Sequence, residues 1–217
     1  MHKHIVLALL IAALTNEAAL AETLIAPSFP DKGNWKLEAE HPIKAPDGKD
    51  VGKALFFFLS VVEGSSPQSM VSITELNRSP ETGPVEHMTN LARAYQQNCE
   101  ALQLTRPTHT LEKGVPVSYA RLYCTRIKQG QEGFIQSIKV LQGRSQLFTV
   151  LRQWSTPPYS LDQSPAEREA FAKSVFKSTE TAGIWLAQMD TANKHFESAI
   201  TLCSNQNGEF GAPCEKK

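Results

Sequence analysis

Alternating hydrophobic and polar positions predict three strands in the first part of the mature chain. Residues 35–39 alternate, an apolar run at 51–62 follows a turn-prone segment, and residues 70–76 alternate again. A period of two is typical of a strand with one buried face, whereas a continuous apolar run is typical of a strand buried on both faces. We therefore expect the three phenylalanines at 56–58 to lie in the core.

An amphipathic helix is predicted to follow, from Pro84 to about Leu102. Hydrophobic residues recur there at steps of three and four, which places them on one face of a helix. Pro84 suits the first helical position, and Glu86 lies in the first turn, where the helix dipole favours an acid. Cys99 falls on the apolar face, so we expect it to be buried.

Three β-rich runs separated by turn residues predict an antiparallel meander. The runs cover residues 115–128, 134–141 and 147–154, and a short strand near 104–111 precedes them. Two helices are then predicted. The first begins at Ser164-Pro165-Ala166-Glu167, which has the composition of a capping box.

The second C-terminal helix is predicted over about residues 181–203. Its apolar face includes Trp185, Met189 and Phe196. Packing of this face on the sheet is the favoured interpretation, and a homodimer formed through it is the alternative.

The order of three strands, a helix, a meander and a further helix resembles that of the PsbP-like family over about residues 34–177. The resemblance is one of topology and implies an α+β fold, in which a central antiparallel sheet lies between helices as an α/β/α sandwich. The additional C-terminal helix at about 181–203 lies outside it. Family members act mostly as accessory, assembly or binding proteins. We expect residues 34–217 to form a single domain.

The first 21 residues have the pattern of a secretory signal peptide. A basic start is followed by the apolar run 5–15 and by Ala19-Leu20-Ala21, the small-x-small pattern that signal peptidase recognises. Eleven apolar residues span about 16 Å as a helix, which is too short for a bilayer of roughly 30 Å. We expect cleavage after Ala21, a Pro-rich N-terminal tail at 22–33, and a soluble product in a bacterial periplasm or the medium.

Four cysteines in an exported chain indicate two disulfides. The favoured pairs are Cys99 with Cys124 and Cys203 with Cys214, because turn residues between the last two allow the chain to fold back. A metal site is the alternative. It is disfavoured, because no Cys-x-x-Cys occurs and the histidines share no ligand spacing with the thiols.

Charge and motifs exclude several classes of function. The 22 basic and 22 acidic residues cancel, which argues against a nucleic-acid binder or a polybasic membrane-surface protein. Ser174 and Lys177 match Ser-x-x-Lys, but without the companion motifs of penicillin-recognising enzymes. Glu86 and His87 point in different directions on a helix, so we expect them to be polar side chains on the surface and not a catalytic pair. Neither a cofactor nor a metal is expected, and an enzyme is left open but disfavoured.

The strand at 115–128 carries the most informative polar residues. Alternation places Tyr119, Arg121 and Tyr123 on one face, opposite the face that holds Cys124. An arginine between two tyrosines can bind a carboxylate or phosphate. In the alternative interpretation, Arg121 stacks between the rings beneath a helix and pairs with a glutamate such as Glu167 or Glu169.

The sequence thus predicts a periplasmic protein that acts by binding another envelope or secreted protein, as an accessory, inhibitor or adaptor. The alternative is a small-ligand-binding protein, or an enzyme without a known motif, that has a polar pocket near Arg121.

Overall fold

The computed structural model describes residues 22–25, 35–59, 69–77 and 82–162, and nearer the C terminus residues 164, 166–167, 170, 187, 190–191, 193–194, 196–204 and 212–213. Its elements in chain order are β1 (Glu22–Ile25), β2 (Trp35–Lys44), β3 (Asp50–Leu59), β4 (Ser69–Asn77), α1 (Pro84–Asn98), β5 (Leu102–Leu104), β6 (Thr108–Glu112), β7 (Val115–Cys124), β8 (Gly133–Gln142), β9 (Gln146–Thr156), β10 (Thr201–Ser204) and β11 (Ala212–Pro213).

Eight of the described strands form one antiparallel sheet. The strand order is β2-β3-β4-β9-β8-β7-β5, and β6 also pairs with β7. The meander β2-β3-β4 and the meander β7-β8-β9 therefore join through the pairing of β4 with β9, and α1 makes the long connection between them. The six strands of these two meanders were all predicted from patterns in the sequence.

Buried side chains cover both faces of the central strands. One cluster contains Met88 of α1 together with Leu122 and Ile138, and the other contains Phe196, Ile200 and Leu202 with Val117 and Leu141. Because α1 is the longest run of described helix, the described part is richer in β structure than the expected α+β sandwich.

Lys113 and Gly114 close the β6–β7 hairpin as a two-residue turn. Their φ angles are 51° and 83°, and two positive φ values in succession define the turn whose twist matches that of the flanking strands. This turn holds β6 against β7 in a fixed register.

The first helix is shorter than predicted. It ends at Asn98, because Cys99 adopts an extended conformation, bridges to Ile127 and bonds to Cys124. Cys99 and Leu102 still fit the apolar spacing of the helix, although neither residue is helical in the structure. The short strand expected near 104–111 is also wrong as a single strand, since Pro107 lies between β5 and β6 and has no N–H to donate.

Two expectations near the ends of the chain are corrected. Part of the predicted tail, Glu22–Ile25, is strand β1, which pairs antiparallel with β10. The predicted helix at 181–203 is wrong at its end, because Thr201–Ser204 form β10; the described residues between 187 and 198 are helical. Both strands depend on a partner that is remote in the chain, which local periodicity cannot indicate. Trp185 and Met189 lie outside the described side chains.

The apolar run in β3 is less buried than expected. Phe56 and Phe57 are each only half-buried, because β3 lies next to the edge strand β2; the side chain of Phe58 lies outside the described part. Among the described residues, no helix combines the length and the apolar character needed to cross a bilayer.

Candidate functional site

An open concavity of about 460 Å³ lies over the β6–β7 hairpin, and we call it the groove. Five hydroxyl side chains line it: Thr105, Thr108, Thr110, Tyr119 and Tyr123. Five charged residues complete the lining: Arg106, Glu112, Arg121, Lys139 and Glu197. Every one of these lining residues therefore carries a hydroxyl or a charged group.

The alternation of β7 determines which of its side chains face the groove. Ala120, Leu122 and Cys124 are buried on the side of α1, whereas Tyr119, Arg121 and Tyr123 are half-buried on the opposite side. The structure thus places the three candidate binding residues together in one concavity. It also places Thr108 of β6 directly opposite Tyr119 in the ladder, so that both strands contribute to the groove.

Hydroxyl groups hold the Arg121 guanidinium in position. Its Nε donates to the Tyr119 hydroxyl over 3.3 Å, and Tyr123 interacts with it electrostatically. Partial burial works to lower the pKa of Arg121, but the interactions with Tyr119 and Tyr123 outweigh it, so the pKa is raised and the side chain stays charged. Below it, the Arg121 backbone N–H donates to Thr105 Oγ1 over 2.9 Å.

No carboxylate of the described residues lies within ion-pair distance of Arg121. Glu167, one of the two partners considered from the sequence, is occupied elsewhere. Its carboxylate accepts from the Ser164 N–H over 2.7 Å and its own N–H donates to Ser164 Oγ, which is the predicted capping box and which lowers the pKa of Glu167. The side chain of Glu169 lies outside the described part.

Lys139 projects from the middle of β8 into the base of the groove and is fully buried. Its Nζ donates to Glu112 Oε2 over 2.8 Å and to the backbone oxygen of Glu197 over 3.0 Å. Glu197 lies near the end of the described helical residues, where carbonyl oxygens lack partners within the helix and attract a cation. Lys139 therefore links the sheet, the hairpin and the C-terminal helix.

Sequence reasoning did not single out Lys139, Glu112 or Glu197. The available signal was the position of Lys139 within the hydrophobic run Phe134 to Leu141, where an unpaired charge would be very costly. Its partners could not be identified, because Glu197 is 58 residues away in the chain.

The remaining candidates lie outside the groove. His87 lies in the first turn of α1, and the expectation that it is a surface residue is wrong: it is half-buried, and its Nε2 is 2.9 Å from Thr149 Oγ1 on the sheet. Burial lowers the pKa of His87. Ser174 and Lys177 lie outside the described residues.

A disulfide joins Cys99 to Cys124, the pairing that the sequence favoured, and their Cα atoms are 5.6 Å apart. It ties the end of α1 to the end of β7 on the side of the sheet opposite the groove. Cys203 is also disulfide-bonded, while its predicted partner Cys214 lies outside the described residues.

Comparisons with known proteins give only distant similarities. No protein-family model matches the chain, and no curated protein matches it in sequence. A crystal structure of PA94, a protein of unknown function from Pseudomonas aeruginosa, is similar at 12% identity and a TM-score of 0.40, over 72% of this chain and 95% of that one. LpqN of Mycobacterium tuberculosis, which is involved in cell envelope biogenesis, is similar at 11% identity and a TM-score of 0.39, over 86% of this chain and 87% of that one.

Proposed function

We propose that this chain is an exported periplasmic protein that binds another envelope or secreted protein, and that the groove is its binding site. The predicted signal peptide at 1–21 and the disulfide between Cys99 and Cys124 support export to an oxidising compartment. Cleavage after Ala21 would leave β1 intact, because that strand begins at Glu22.

The observation that carries this proposal is the state of Arg121. Its guanidinium has five N–H donors, and the Tyr119 hydroxyl accepts from one of them, the Nε–H. The donors that remain face an open concavity in which no described carboxylate pairs with them. A carboxylate of the partner can accept two parallel hydrogen bonds from such a group, and Tyr119 and Tyr123 would supply contact area around it.

The test is affinity capture from envelope extract with three baits: the unaltered protein, Arg121→Ala and Arg93→Ala. Arg93 is an exposed arginine of α1, on the opposite side of the sheet, so its variant loses the same charge outside the groove. We expect one stoichiometric protein partner that is lost only from the Arg121→Ala bait, with all three baits melting at the same temperature. Equal capture by all three would refute the groove as the binding site.

A small-ligand-binding protein is the second candidate. The groove volume of about 460 Å³ falls within the usual range of ligand sites, and its hydroxyl lining suits a polar anion. Thermal-shift measurements with small carboxylates and inorganic phosphate test this candidate. Stabilisation that depends on Arg121 would favour it over the protein partner.

For the fold, we propose a PsbP-like α/β/α sandwich. Met88 of α1 lies on one face of the sheet, and Phe196, one of the described helical residues, lies on the other; both support two helical layers. Phe196 is buried within the chain, which favours packing of the C-terminal helix on the sheet over the homodimer. An experimental structure of the whole chain that shows where residues 163–200 lie on the sheet would test this arrangement.

A further inference from the structure

The charges of the groove are divided between its two ends. Arg121 lies opposite Ser137 of β8 in the ladder. On its other side it is hydrogen-bonded to Thr105, and Arg106 is the next residue in the chain. One step further along β7, Tyr119 lies opposite Lys139, whose amine holds Glu112 and the backbone of Glu197. Arginines therefore occupy one end and the two glutamates the other.

The two ends differ in net charge. Arg121 and Arg106 contribute two positive charges that no described carboxylate balances. At the other end, the buried Lys139 neutralises Glu112, with which it forms an ion pair at 2.8 Å. Among the described residues that line the groove, Glu197 therefore leaves one negative charge in excess, and the nearby Lys194 is paired with Asp190 at 2.8 Å. The ammonium of Lys139 is fully buried and already bonded to Glu112 and to the backbone of Glu197, so it does not offer a further positive charge to a ligand.

In the ladder, the backbone positions of Arg121 and Lys139 are one strand repeat apart. Side chains two residues apart on a strand share a face and lie about 6.8 Å apart. Arg121 and Tyr119 on β7 are separated by such a step, and the Lys139 cluster lies level with Tyr119. A segment extended along β7 would therefore present its residues i and i+2 to the two ends.

We infer that the groove recognises an extended segment of the partner protein in which one acidic and one basic side chain are separated by a single residue. The acidic side chain binds Arg121, and the basic one binds Glu197. This inference rests on the proposed function and specifies the partner segment. A purely acidic segment gains at Arg121 but is repelled at Glu197, so the acidic end of the groove discriminates against it.

The test compares short end-capped peptides that contain Glu-Ser-Lys, Glu-Ser-Ser or Glu-Ser-Glu, titrated by fluorescence polarisation into the full chain. We expect the mixed peptide to bind at least about fivefold more tightly than the all-acidic one, as expected for a charge contact near a protein surface. Glu197→Lys should reverse that order. Glu40→Lys is the matched control, because Glu40 is exposed on β2 at the far edge of the sheet.

The outcomes separate this inference from the proposed function. Reversal by Glu197→Lys but not by Glu40→Lys supports both. Equal affinities that are all lost in Arg121→Ala overturn the mixed-charge segment and leave the anion site in place. The absence of Arg121-dependent peptide binding at millimolar concentration overturns both, and binding of glucuronate or inorganic phosphate alone would then assign the groove to a small ligand. Melting curves of each variant exclude misfolding as the cause.

Discussion

Replacing Lys139 with methionine should destabilise the folded protein by about 3 kcal/mol. Methionine keeps an unbranched apolar stem up to the ε position but removes the ammonium group. Two hydrogen bonds are then lost, to Glu112 Oε2 and to the backbone oxygen of Glu197. The variant leaves the partners in place without a donor, which is the costly way to break a buried pair.

The magnitude follows from these two contacts. A hydrogen bond to a charged group contributes about 1.5 to 3 kcal/mol. We take the lower value for each, because the Glu112 side chain is 29% exposed and can regain hydration when the lysine is removed. Two such bonds give about 3 kcal/mol, which corresponds to a fall in Tm of about 6 to 12 °C for a chain of this size.

Lys128→Met is the matched control. Lys128 Nζ also donates to a carbonyl near the end of a helix, the Gln97 oxygen of α1, over 2.9 Å, but this lysine is exposed. Water can replace its bond, so little change in stability is expected. The paired variant Lys139→Met with Glu112→Leu removes both charges and should recover part of the lost stability.

Urea and thermal denaturation at neutral pH, with the disulfides kept oxidised, measure all three effects. A loss in Lys139→Met that is no larger than in Lys128→Met would refute the assignment of Lys139 as the link between the sheet and the C-terminal helix. Failure of the paired variant to recover stability would show that Glu112 is not the group left unpaired.

Three further predictions test the packing of the sheet and of α1. Gly133→Ala should cost about 2 kcal/mol more than Gly130→Ala in urea denaturation, because a Cβ at Gly133 would lie 2.6 Å from a backbone oxygen but one at Gly130 3.3 Å from a side chain. Since burial lowers the pKa of His87 below 6.5, the unfolded state binds the extra proton, so stability should fall as the pH drops below about 6.5; His87→Gln should flatten that slope. Replacing Cys99 and Cys124 together by alanine removes a disulfide between residues that are 25 positions apart in the chain. The free energy of unfolding, measured by calorimetry, should fall by about 3.5 kcal/mol, and an unchanged Tm would contradict the covalent link.

Local patterns identified the elements whose formation depends on neighbours along the chain. The strands β2, β3, β4, β7, β8 and β9, the start of α1 at Pro84 and the capping box at Ser164 all follow from periodicity or from short-range hydrogen bonding. The same alternation placed Tyr119, Arg121 and Tyr123 on one face of β7. Such features arise within a few residues, so their signal survives in the sequence.

Pairing between remote segments decided the features that were missed. Glu22–Ile25 form a strand only because Thr201–Ser204 lie beside them. Cys99 ends α1 because of its contacts with Ile127 and Cys124, although its sequence position still fits the helical pattern.

The groove divides in the same way between what the sequence by itself determined and what the tertiary structure decided. The sequence determined the row of tyrosines around Arg121, because a strand presents alternate residues on one face. Only the tertiary structure brought Glu112, Lys139 and Glu197 together beside that row, since they come from a hairpin, a central strand and the C-terminal helical residues. The physical reason is that hydrogen bonds and charge pairs act over a few ångströms in space, whatever the separation along the chain.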